Sequence, residues 1–150
     1  MKVRLGVLAI AALLPLGGRA AFAQTLGVSG DPGLLRISTA VSGSEPIAVS
    51  NSSTTYTVST PNPNRLHSIT AQLNAAMPVG VTLTATLAAP PGATSLGPIA
   101  LDVTARDVVT GIPRRTDSTH GITYQLAATV QAGVVPVSTR IVTLTIVQAP

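Results

Sequence analysis

The 150-residue chain has no cysteine and no tryptophan, one phenylalanine and one lysine, and only 9% charged residues. Without cysteine no disulfide can form, even in an oxidising compartment, and no lipid can be attached through a lipoprotein-type cysteine. Two histidines and no clustered carboxylates leave no zinc-like ligand set. Two tyrosines cannot supply the aromatic girdles of a transmembrane β-barrel. Nor are there heptads, exact internal repeats or a linker that would divide the chain, so one domain is expected. What the chain does have is apolar residues at 45%, a mean hydropathy of +0.47, and a net charge of +4 with a pI near 10.8.

That basicity belongs mostly to the first residues. Lys2 and Arg4 precede an uncharged apolar run from Leu5 to Leu16, and Ala21-Phe22-Ala23 forms a small-x-small cleavage box before Gln24. This order is that of a secretory signal. A buried N-terminal helix is the competing reading, but it does not call for the three parts in sequence. The apolar run is shorter than the roughly 20 residues a membrane span needs. The expected division is a signal peptide over 1–23 and a β-sandwich domain over 24–150. The product is exported, to the periplasm, the cell surface or the extracellular space. Taking away 1–23 leaves six Arg against five acidic residues and neither Lys nor Phe. At net +1, no electrostatic case for nucleic acid remains.

The rest is rich in β-branched residues, with twenty Thr, all after the leader, and Gly and Pro at short intervals. Such a composition favours strands. Val81, Leu83, Ala85 and Leu87 alternate with Thr82, Thr84 and Thr86, the pattern of a half-buried strand. Pro91-Gly92 suits the centre of a type II turn. Similar alternation predicts strands over Leu35–Val41, Ile47–Ser50, Thr54–Thr60, Leu66–Leu73, Ile99–Ala105, Ile122–Val130 and Val137–Val147. Val108–Thr110 either continues the Ile99 strand after a kink or starts another. Leu66–Leu73 could also be a short helix, though the Thr content favours a strand. Asn51-Ser52-Ser53 reads as a turn, Ile112–Gly121 as an exposed polar loop, and Ile122–Val147 as a hairpin. Eight or nine short strands at this spacing predict an all-β fold, a single Ig-like antiparallel β-sandwich over about 33–147. Its expected core includes Val81, Leu83, Leu87, Leu101, Val103, Tyr124, Leu126, Val142, Leu144 and Ile146.

Candidates for chemistry are few. His120 lies near Asp117 and Ser118, but no Gly-x-Ser-x-Gly elbow is present, and an imidazole in a polar loop is usually solvated. A hydrolase would need His120 bonded to a buried carboxylate and facing a Ser in a deep pocket. His67 reads as a surface residue of a strand. Asp31-Pro32-Gly33 reads as a turn, since further oxygen ligands for calcium are missing. Asp102 and Asp107 flank Arg106 and read as surface charge pairing. Asn51-Ser52-Ser53 also matches a glycosylation acceptor, too short a pattern to weigh. Arg114-Arg115 is the basic pair. With His120 it is the candidate ligand-binding set, suited to an anionic glycan or headgroup, against the plainer role of a solubilising loop.

The alternating strand Val81–Ala88, the stretch Ile122–Val147 and the stretch Leu35–Val41, in an exported cysteine-free chain, resemble in layout the Ig-like subunits of bacterial fimbriae and adhesins. The missing catalytic constellation, the signal peptide and the low-charge, Thr-rich strand faces point to a non-catalytic structural or interaction protein with no cofactor expected, and the resemblance implies a surface or fimbria-like subunit. Its partners would be further copies of itself or other surface proteins, and such subunits can exchange an N-terminal strand with a neighbour. No functional residue is carried over. The alternative is a ligand- or glycan-binding module.

Overall fold

Strict alternation of apolar and hydroxyl side chains recurs through most of the chain, and its outcome is an all-β structure of two facing sheets around one core. The computed structural model describes residues 2–10 and 23–149. Among them the strands are β1 (Lys2–Ile10), β2 (Thr25–Ser29), β3 (Gly33–Arg36), β4 (Val49–Thr60), β5 (His67–Leu73), β6 (Val81–Leu87), β7 (Thr94–Ser95), β8 (Ile99–Ala100), β9 (Arg106–Ile112), β10 (Arg115–Ala128) and β11 (Ser138–Gln148). One 3-10 turn, Val130–Ala132, precedes the last strand. Sheet A has the order β3-β1-β11-β5-β9-β7, and sheet B has the order β2-β4-β10-β6-β8. Every pairing is antiparallel except β1 with β11, which is parallel. Among the described residues no helix is long and apolar enough to cross a membrane.

The core is filled from both inner faces. Tyr56 and Val58 of β4, Leu83, Ala85 and Leu87 of β6, and Ile122, Tyr124 and Leu126 of β10 meet Ile69 and Ala71 of β5 and Val142, Leu144 and Ile146 of β11. Burying an aliphatic side chain of this size contributes about 1.5–3 kcal/mol. A core built almost wholly of Val, Leu, Ile, Ala and two Tyr therefore needs no staple. Of the ten expected core residues, Val103 alone lies outside, at 55% exposure.

Several expectations are corrected. Ile99–Ala105 is not one strand. The last bond to β6 is from the Leu101 N–H to the Leu83 carbonyl at 2.9 Å; beyond it the Asp102 carboxylate accepts the Thr104 N–H at 2.7 Å and the chain turns out toward sheet A. Val103 rides on that turn, and β9 begins anew at Arg106. Ile47–Ser50 and Thr54–Thr60 are not separate strands. Asn51–Ser53 is a bulge inside a continuous β4, where Thr54 faces Ile122 and Asn51 faces Tyr124, one residue more than on β10. The Asn51 Oδ1 accepts from the Ser53 N–H and hydroxyl at 2.8 and 2.7 Å, which holds the extra residue.

The polar stretch Ile112–Gly121 is strand from Arg115 onward. Its polar side chains face an equally polar neighbour, as in the 2.9 Å Thr57–Thr119 hydroxyl pair. Ile122–Val147 is not a hairpin, because β10 lies in sheet B and β11 in sheet A. Their apolar sides face each other through the core, and the 129–137 connection crosses between sheets. Leu35–Val41 pairs as strand only over Gly33–Arg36, although Ile37 still points inward.

Other local readings are met. Leu66–Leu73 is strand β5. Asp31 Oδ1 accepts the Gly33 N–H at 2.8 Å in a turn. At Pro90–Ala93 the Ala93 N–H donates to the Pro90 carbonyl at 2.9 Å with Gly92 at φ +84°, the type II geometry that a side chain disfavours. Residues 2–10, inside the segment read as an export leader, form β1, with Val3 fully buried.

Candidate functional site

The candidate residues Arg114, Arg115 and His120 gather at the end of the molecule where β10 begins and β4 and β6 finish. Arg114 is exposed in the connection before β10. Arg115 opens the strand opposite Thr60, and Ser118 lies opposite Val58. The irregularity between them shifts the alternation, so that Arg115, Ser118 and His120 all take partly buried positions. Thr60 fixes the approach to the strand, its hydroxyl donating to the Pro113 carbonyl at 2.7 Å.

His120 stands opposite Tyr56, ring centroids 5.6 Å apart and planes inclined at 43°. The Tyr56 hydroxyl donates to the Ala88 carbonyl at 2.6 Å, tying β4 to the chain just past β6. His120 Nε2 and Ser118 Oγ share a hydrogen bond. Burial first, and then the charge of Arg115, lower the His120 pKa, so the imidazole is neutral at pH 7. Burial also raises the pKa of Tyr56. The Arg115 Nε is enclosed and has no hydrogen-bond partner among the described residues. The site is thus a neutral Ser–His pair beside a guanidinium. Among the described residues the charge acting on His120 is the Arg115 cation; the side chain of Asp117, the carboxylate nearest in sequence, lies outside them. What this arrangement can do is hold an anion or a polar group. Among the described residues no group of three or more His, Asp or Glu could hold a metal ion.

Two further side chains differ from expectation or complete it. His67 is not a surface residue. It is 4% exposed at the start of β5, between Ile112 of β9 and Gln148 of β11, with Nδ1 unpartnered among the described residues. Burial lowers its pKa. Asp102 and Arg106 form the expected surface pair, at 2.5 Å.

Sequence reasoning missed the opposite end, where β4, β6 and β11 begin and β10 finishes. Val41, Ile47, Val79, Val130, Val134 and Val137 are all exposed there. Val130 itself, with Ala40, Pro46 and Gly133, the chain neighbours of Val41, Ile47 and Val134, lines an open cavity of about 370 Å³ whose walls also include Ile37 and Ala128. The walls are fixed by backbone contacts. Glu45 Oε2 accepts the Val130 N–H at 2.6 Å, and the Ile47 N–H donates to the Thr39 carbonyl at 3.0 Å. At Gly80, φ +75°, a Cβ would lie 2.9 Å from the Ala132 nitrogen. The signal in the sequence is Val134-Val135-Pro136-Val137, an apolar run in a turn, of which only Val135 is buried.

Comparison of the chain with protein-family models returns no match, and comparison with curated proteins returns none either.

Proposed function

We propose that residues 1–23 direct export, and that the mature protein is a non-catalytic structural or interaction protein outside the cytoplasm. In this reading it is a surface or fimbria-like subunit with an Ig-like arrangement of its sheets, self-associating or joining other surface proteins. The supporting observation is the apolar rim, with Val134 wholly exposed and Val79, Val130, Val137, Val41 and Ile47 more than half exposed. Single exposed aliphatics are ordinary, but a gathered set of them marks an interaction surface. A mature charge near +1 removes the repulsion that would keep copies apart.

Sedimentation velocity on the exported protein, with the N-terminal residue identified by mass spectrometry, tests the reading. The chain should begin at Gln24 and associate with rising concentration. Val134→Asp should weaken association at least tenfold while the thermal midpoint holds, because the side chain has no packing to lose.

A second reading, an extracytoplasmic ligand- or glycan-binding module using Arg114, Arg115 and His120, draws support from the enclosed and unpartnered Arg115 Nε. A protein that stays monomeric at high concentration, yet binds an acidic glycan and loses it in Arg115→Gln, would replace the first reading with this one.

A further inference from the structure

β1 is an internal strand of sheet A, lying between β3 and β11. It pairs with β11 over eight positions, Val3 with Ser138 through Ile10 with Thr145. It pairs with β3 over four, Lys2 with Arg36 through Leu5 with Gly33. Among the described residues β3 is bonded to no other strand. Val3 is fully buried, against a core that includes the nearly buried Leu35. If residues 1–23 are removed on export, β11 loses its parallel neighbour along Ser138–Thr145 and β3 loses its pairing with β1.

β3 cannot close that gap by moving across it. Leu35 and Ser138 both stand opposite Val3, and Gly33 and Arg140 both stand opposite Leu5. A shift of one strand spacing, about 4.8 Å, would therefore bring β3 no further along β11 than Arg140. The next residue is Pro32, which has no N–H to give. Ile141 to Thr145 would stay open, a run of β-branched and apolar residues without charge. Such an edge pairs readily with any extended chain.

We propose that residues 2–10 are an intramolecular cap on a strand-accepting slot between β3 and β11. While attached, the segment closes sheet A. Once removed, it leaves a slot one strand wide that takes an extended peptide running parallel to β11, uncharged and apolar where it lies opposite Arg140–Thr145, as Leu5–Ile10 is. The proposal rests on the export reading above and names the edge through which the subunit would assemble.

The test uses the full chain, purified with the leader intact and a protease recognition sequence placed within residues 11–22. The folded protein is cut, the released fragment is removed by gel filtration, and amide hydrogen exchange is followed residue by residue. Protection of β11 over 139–145 should fall at least tenfold, while β10 amides around Ile122–Leu126 hold. Adding a synthetic peptide of residues 2–10 should restore β11, and a scrambled peptide should not. A fragment retained through gel filtration would show the slot occupied without a covalent link and support the cap; with the fragment gone, unchanged β11 amides or loss of protection throughout both sheets would each overturn it. Self-association is read separately on the same samples. If β11 opens and the cut protein remains monomeric, the cap stands and the subunit reading falls. If the uncut protein assembles and loss of the fragment leaves β11 unchanged, the cap falls and the subunit reading stands.

Discussion

At one end of the sandwich Val79, Val130, Val134 and Val137 project into solvent from turns. At the other, Arg65, Arg114, Arg115 and His120 occupy the turns and strand starts. Both ends are made of loops that cross from one sheet to the other, and both are pinned by hydrogen bonds to backbone carbonyls or N–H groups. They are separated by the length of β10, 14 residues, or roughly 45 Å at 3.3 Å per residue. The two ends differ in what their loops expose to water. The polar end follows the ordinary rule that connections carry charge. The apolar end breaks it while keeping an ordered framework, Glu45 to Val130 and Gly80 against Ala132. In the subunit reading these exposed aliphatics form the docking surface.

The largest effect should come from the core beneath the apolar end. Leu126 is fully buried between the starts of β4 and β6. Leu126→Ala should cost about 2–5 kcal/mol, as buried Leu truncations do, measured by urea unfolding. A cost under 1 kcal/mol would mean that this end is loosely packed and that its rim is not preorganised.

A sharper contrast comes from two glycines, one at each end. At Gly80 a Cβ meets the Ala132 backbone at 2.9 Å, whereas at Gly92 the nearest atom is the Pro113 ring at 3.4 Å. Both have positive φ, which alone costs a side chain about 1–2 kcal/mol. Gly80→Ala should therefore destabilise more than Gly92→Ala, since it adds a clash that only backbone movement relieves. Equal shifts in the two unfolding midpoints would show that the apolar end yields as easily as the polar one.

The smallest expected effect is one of pH. His67 and His120 both lie toward the polar end, and in both burial lowers the pKa. Above about pH 6.5, the ordinary imidazole value, both the folded and the unfolded chain are neutral there and pH has no leverage. Below it the unfolded chain takes up protons first, so stability falls as the pH drops from 7 toward 5. His67→Leu should flatten that dependence, and hydrogen exchange at low pH should quicken near Ile112 and Gln148 before it does near Val130. A thermal midpoint unchanged between pH 7 and 5 would contradict this.

Much of the fold was legible because alternation reports directly which side chains face inward. Val81–Leu87 and the Val142, Leu144, Ile146 series needed nothing more. Alternation does not report which sheet a strand joins. β10 and β11 are consecutive, long and similarly patterned, and a hairpin and a crossing between sheets bury the same residues. Polarity misled at 115–121, where hydroxyl pairs such as Thr57 with Thr119 and the irregularity between Arg115 and Ser118 let a polar strand pair with a polar partner. The site was legible in part. Arg115 and His120 do come together, but through a shift of register that no spacing rule encodes. Ser118 sits two residues from His120 along the strand, so their contact needed only the knowledge that this stretch is extended.

The two phenols add an optical property. Tyr124 lies in the core with its hydroxyl unpartnered among the described residues, and Tyr56 bonds the Ala88 carbonyl. Burial raises the pKa of both. In alkali beyond about pH 10, the ordinary phenol value, the unfolded chain would ionise while the folded one resists. With no indole in the chain to mask it, the ultraviolet band of tyrosinate would therefore grow in step with unfolding. The protein carries its own ultraviolet reporter of an intact core, read as the shift of the tyrosine band on ionisation.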